Sequence, residues 1–211
     1  MGKIVLLTIL VIICAVTSTQ ESPTRIEVQI IKKADFRKTL TYILKHEGYY
    51  ANEANDKGKE TYGGISRRFN PTWYGWRYVD EYKKHNKIKN NTRIPELDFW
   101  VLDYYLNIWV DEHFYELNDQ STANYVMDFR INGTVGAKLT RRVLNEFDCS
   151  LPITNTIDSI VIASINTIPK HKFLNKLKLR RYRFYTNIVK RDSTQRSFLP
   201  HWIQRSNAFN D

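Results

Sequence analysis

Glu47 is followed by Gly48-Tyr49-Tyr50 and a polar stretch that runs to Thr61-Tyr62-Gly63-Gly64-Ile65-Ser66. Upstream, Leu40, Ile43 and Leu44 recur at helical spacing. Glu47 therefore falls on the apolar stripe, at the C-terminal end of a helix that Gly48 stops. Partial burial and the negative end of a helix dipole both disfavour a carboxylate. A carboxyl so placed is suited to act as a general acid. Such an acid can protonate the oxygen of a glycosidic bond, and in most cases a second carboxylate acts on the opposite face of the sugar. Asp56 and Glu60 are the nearby candidates for that second group, and the Thr61 hydroxyl could hold a water. Asp56 has an ordinary alternative, because Asn-Asp-x-Gly is a turn in which the side chain bonds its own backbone.

These residues need a scaffold, and the pattern predicts a mainly α one. A first helix runs from Ala34 to Glu47, with Asp35 as N-cap. Residues 48–72 read as a long loop or short hairpin, of a length that is usually functional. A second helix begins near Pro95, with Phe99, Leu102, Tyr105, Leu106, Trp109 and Val110 as its apolar stripe. Shorter helical patterns lie at 123–129 and 137–147. Residues 152–168 suit either a strand or a short helix. Residues 170–191 hold nine Lys or Arg and no acidic residue, interleaved with Phe173, Leu174, Leu177, Phe184 and Ile188. That is a basic amphipathic helix, by default a solvated face over a packed stripe. Trp73, Tyr74, Trp76 and Tyr78 could cover the apolar faces of pyranose rings or pack in the core. Asp128 and Asn132 could line the cleft, although a buried pair that caps backbone is the commoner arrangement.

The stretch from Glu47 to Ser66 resembles the glycoside hydrolase family 108 lysozymes. Their signature is Glu-Gly-Gly-Tyr, an Asp-rich turn, Gly-Gly-Glu-Thr and Gly-Ile-Ser. The resemblance continues in Phe36 to Glu47, in the segment Val126 to Gly133 with its Asp128-x-x-x-Asn132 spacing, and in Arg183-Phe184-Tyr185 with His201-Trp202. It covers roughly residues 36–205. It implies a lysozyme-like α-rich domain at 34–148 and a small helical, peptidoglycan-binding-like lobe at 149–211. The activity implied is hydrolysis between N-acetylmuramic acid and N-acetylglucosamine. The family's catalytic Glu falls on Glu47. Asp56 and Thr61 are the further catalytic candidates, and Tyr50, Gly64, Trp73, Trp76 and Asn132 the substrate-binding ones. The chain departs from the signature at Tyr49, at Lys59, and where Tyr62-Gly63 alters the run into Gly64-Ile65-Ser66. The Glu47-to-Asp56 spacing is also that of the phage-type lysozymes, but Thr61 falls one position short of theirs.

The 211 residues carry 32 basic and 22 acidic side chains, a formal +10. Residues 1–20 hold Lys3, an apolar run from Ile4 to Val16 and then small polar residues, the pattern of a signal peptide or signal anchor. The run is shorter than the ~20 apolar residues of a spanning helix. Residues 21–33 read as a linker. The pattern predicts an exported protein, secreted or periplasmic, with an uncleaved N-terminal segment as membrane tether the alternative. For an exported chain the excess positive charge points to anionic cell-wall polymers or a membrane surface and not to nucleic acid. If the segment is removed, Cys149 is the single thiol left, so no internal disulfide forms. The five histidines have no ligand spacing, and no phosphate loop or dinucleotide fingerprint is present, so neither metal nor cofactor is expected. The expected species is a monomer acting on peptidoglycan glycan strands. Three rival readings remain: a lytic transglycosylase on the same bond, a non-catalytic peptidoglycan-binding protein, and a cationic membrane-active helix.

Overall fold

The computed structural model describes residues 32–52, 60–133 and 135–208. Among these the architecture is mainly α, as expected. Helix α1 spans Phe36–Glu47 and starts where predicted, with the Asp35 carboxylate accepting from Lys38 N at 3.1 Å. The chain then makes a small antiparallel sheet of three two-residue strands, β1 (Tyr50–Ala51), β2 (Thr61–Tyr62) and β3 (Ile65–Ser66), in that order. Tyr50 faces Tyr62 across the first pair and Tyr62 faces Ile65 across the second, which puts three buried side chains on one side. Residues 53–59, which include Asp56, lie outside the described residues.

Helix α2 (Gly75–His85) is a finding the sequence did not announce. Its start has no capping side chain, since Tyr74 stands at the N-cap position. A short 3-10 turn, Pro95–Leu97, leads into α3 (Asp98–Asp111), where the second helix was predicted. Its buried face differs from the predicted stripe. Val101, Tyr105 and Trp109 point inward, while Phe99, Leu102 and Val110 are exposed. This helix is apolar nearly all round, so periodicity alone does not single out one face.

Helices α4 (Gln120–Ile131) and α5 (Val135–Asn145) follow. The ambiguous stretch resolves into an extended segment and then helix α6 (Ser159–Thr167), capped by Asp158 accepting from Val161 N at 3.0 Å. Arg141 on α5 fixes that segment. It donates to Thr156 O at 3.0 Å and Pro152 O at 3.2 Å and pairs with Asp158. Backbone carbonyls committed to a buried guanidinium are not available for a strand ladder. Helix α7 (Lys170–Arg191) is the predicted basic helix, and α8 (Leu199–Asn207) comes after a 3-10 stretch at Ser193–Phe198.

Helices on both sides of residue 148 share one core, in which Phe129, Val143 and Leu144 join Val161, Phe173 and Leu177. Helix α7 packs against α5 and against α8. Among the described residues no helix is long and apolar enough to cross a membrane.

Candidate functional site

Glu47 is the last residue of α1, and Gly48 turns the chain away with φ 66°. What faces the Glu47 carboxyl is decided by the turn between β2 and β3. Gly63 and Gly64 have φ of 55° and 79°, the pair of positive values that a two-residue hairpin needs to match strand twist. Tyr105 on α3 donates to Gly63 O at 2.7 Å and so pins the turn. Tyr62 pins it from the other side, accepting from Ile94 N at 2.7 Å and donating to Ile94 O at 3.1 Å.

The result is a close approach. A Cβ on Gly64 would lie 2.6 Å from Glu47 Oε2 and 2.7 Å from Tyr105 Oη. Gly64 is therefore needed for space as well as for its φ. Gly64 as a residue is exposed, and the Glu47 side chain behind it keeps 16% exposure. We expect Gly64→Ala to lower turnover on a glycan substrate at least ~100-fold, because a displaced acid loses its near-attack geometry. Turnover and circular dichroism measured side by side would check this; a folded variant with parental turnover would contradict it.

The other oxygen, Oε1, is held by Arg205 Nη2 of α8. Arg205 also donates through Nε and Nη2 to Asp128 Oδ1 on α4, at 2.9 and 2.6 Å. Arg181 Nη1 on α7 lies 2.8 Å from Asp128 Oδ2, an ion pair with its N–H directed off the oxygen. The order Glu47, Arg205, Asp128, Arg181 is a row of alternating charge that runs from the edge of the site into the core. The Asp128 and Arg181 side chains are fully buried, and that of Glu47 is 16% exposed. Arg181 also lies over the Phe129 ring at 4.7 Å and donates to Tyr185 Oη at 3.1 Å.

This row sets the electrostatics. Burial opposes the charge on Arg205, yet Glu47 and Asp128 together hold its guanidinium above the ordinary arginine value. Burial pushes the Tyr42 hydroxyl up to about 12, with Asp128 adding to it, and pushes Tyr105 well above the usual phenol range. Burial, then Arg205, pulls His46 below its ordinary value. At neutral pH Tyr42, Tyr105 and His46 are therefore uncharged, and the fixed charges facing Glu47 are Arg205 and Asp128. Sequence reasoning foresaw burial and the helix dipole at Glu47 but not this cation.

The remaining expected residues fall as follows. Thr61 sits in β2 opposite Ala51 and Ser66. Tyr50 is 4% exposed and its hydroxyl donates to Glu60 Oε1 at 2.9 Å. Glu60 is itself occupied, by Lys83 and by Arg67 Nε at 2.8 Å. Trp76 is buried, donating to Asn70 O at 2.7 Å with Arg67 over its ring, the core-packing alternative of the two. Trp73 is half-buried, donates to Trp100 O at 3.3 Å and lies against Tyr62. Asn132 caps α4 by donating to Asp128 O at 2.6 Å, the backbone-capping alternative. Exposed rings occur instead at Tyr49, Tyr74, Tyr78 and Phe99.

A cavity of about 360 Å³ opens between α1, the hairpin and α3, lined by Leu40, Leu44, Gly48, Tyr49, Tyr62, Gly63, Arg93, Asp98, Val101 and Leu102. Among the described residues no three His, Cys, Asp or Glu side chains gather as a metal site requires.

Residues 40–133 match the family model described as Glycosyl hydrolase 108. That span contains Glu47, the hairpin and Asp128, and ends before α7 and α8. Among solved structures, that of Brucella abortus SagA is similar at a TM-score of 0.51 and 16% identity, covering 82% of this chain and 94% of the other. At that identity the likeness concerns the fold. No curated protein sequence matches the chain.

Proposed function

From the match of residues 40–133 to the glycosyl hydrolase 108 model, we propose that this protein is a peptidoglycan hydrolase of that family, cleaving between N-acetylmuramic acid and N-acetylglucosamine. Glu47 is the general acid. The observation that carries the reading is Oε2 of Glu47 poised over an exposed Gly64 with no room for a side chain between them. The proton on Oε2 passes to the glycosidic oxygen as the C–O bond breaks, and Glu47 is left as a carboxylate. Asp56 and Thr61 are assigned to the water or to the oxocarbenium-like transition state. The cavity beside Gly48 and Gly63 is assigned to a neighbouring sugar, with Tyr49 as its exposed ring. Export and attraction to anionic wall polymers through the +10 charge belong to the same reading.

A second reading, a lytic transglycosylase, has one observation in its favour. Glu60, the sequence candidate for a second carboxylate that lies among the described residues, is bound by two cations and a tyrosine. One acid/base residue suffices for that reaction, in which an internal hydroxyl replaces water.

The test is mass spectrometry of soluble products after incubation with purified peptidoglycan. Reducing muropeptides are the expected products. Anhydro products, lighter by one water, would establish the transglycosylase, and the absence of soluble fragments would remove the enzymatic reading.

A further inference from the structure

Two features of the site have no role in the reaction as derived so far. One is Arg205, delivered by a helix that lies beyond residues 40–133. The other is the difference between the two oxygens of Glu47. Oε1 is taken by Arg205, whereas Oε2 lies toward Gly64.

We propose that Arg205 is a positioning residue for Glu47, fixing Oε2 as the oxygen that carries the proton and stabilising the carboxylate left when the proton departs. The inference rests on Glu47 being the acid. A carboxylic acid has one hydroxyl and one carbonyl oxygen, and an oxygen that already accepts from a guanidinium is the poorer place for a proton. Arg205 thus assigns the carbonyl role to Oε1 and the hydroxyl role to Oε2. As the proton moves to the leaving oxygen, negative charge appears on Glu47 beside a cation already in place. Such preorganised stabilisation needs no rearrangement during the step.

Arg205 can do this because it is itself over-determined. Its Nε and Nη2 are tied to Asp128, which is tied in turn to Arg181. The guanidinium is 8% exposed, so its field is poorly screened by water. The other titratable or charged groups around the Glu47–Arg205 pair, on the elements packed there among the described residues, are Asp128 on α4, Tyr104 and Tyr105 on α3, and Lys45, His46 and Tyr42 on α1 itself. The tyrosines and His46 stay neutral near pH 7, and Lys45 is directed outward with an exposed side chain. Helix α8 is by this account a part of the reacting centre, contributed by the C-terminal region that the sequence suggested as a binding lobe.

The experiment compares the full-length protein with Glu47→Gln, Arg205→Gln and Arg205→Lys, recording kcat and KM on soluble glycan chains, together with thermal unfolding. Arg205→Gln should lower kcat about 100-fold with KM unchanged. Arg205→Lys, which restores the charge, should recover most of the rate, and it serves as the decisive variant if Arg205→Gln does not fold. A folded Arg205→Gln with the parental kcat, or with a lowered melting temperature alone, would overturn the proposal and leave Arg205 a structural ion pair. An active Glu47→Gln would instead overturn the assignment of the acid, and with it the role of Arg205.

Discussion

Glu47→Gln should abolish turnover, by roughly 1,000-fold or more, while leaving the fold intact. General acid catalysis accounts for about 10²–10⁴-fold in rate, and an amide cannot supply the proton. The fold should survive because glutamine keeps an oxygen for Arg205, and Arg205 keeps Asp128 as counter-ion at 2.6 Å. Loss of one partly exposed charge at the outer end of the row should therefore shift the melting temperature by only a few degrees. Release of soluble fragments from peptidoglycan, measured beside thermal unfolding, checks both halves. A variant that still cleaves would remove Glu47 from the mechanism, whereas one that is inactive and unfolded would show that the carboxylate holds the structure as well.

The opposite pattern is expected one step along the row. Asp128→Ala removes the shared anion between Arg181 and Arg205, whose side chains are 0% and 8% exposed. Arg181 then has no anion among the described residues, and breaking a buried pair by removing one partner costs about 3–5 kcal/mol. For a chain of this size each kcal/mol moves the melting temperature by about 2–4 °C, so a fall on the order of 10 °C is expected. Activity should fall too, since Arg205 loses the group that aims it at Glu47. Calorimetry checks the first effect, and a melting temperature within 2–3 °C of the parent would show that the row contributes little to stability.

The parts of the fold legible in the sequence are those with local causes. Helix α1 has an N-cap at Asp35, apolar spacing through Leu40 and Ile43, and a stop at Gly48, and each was found where it was expected. The basic helix at 170–191 was legible for the same reason. Helix α2 was not, because its start carries no capping side chain and its aromatic residues read equally well as a surface cluster. The inward face of α3 was misread because apolar side chains surround that helix. At the site, Glu47 and the double glycine were legible as a motif. Arg205 was not, being 158 residues away from the oxygen it holds. One signal did point toward it: an aspartate inside the run Tyr125-Val126-Met127-Asp128-Phe129 requires a buried cation. No sequence spacing says which of 32 basic residues supplies it.

That separation also fixes when the site can exist. The row takes one charge each from α1, α4, α8 and α7, so it closes only after the final helix has reached the first. Contacts so distant along a chain form late, because the entropy of closing the loop precedes any reward. A nascent or partly folded chain with Glu47 already helical has no cation on Oε1. Competence of the acid is therefore a property of a chain that includes α8, and a protein clipped anywhere before that helix has its reacting carboxyl unsupported.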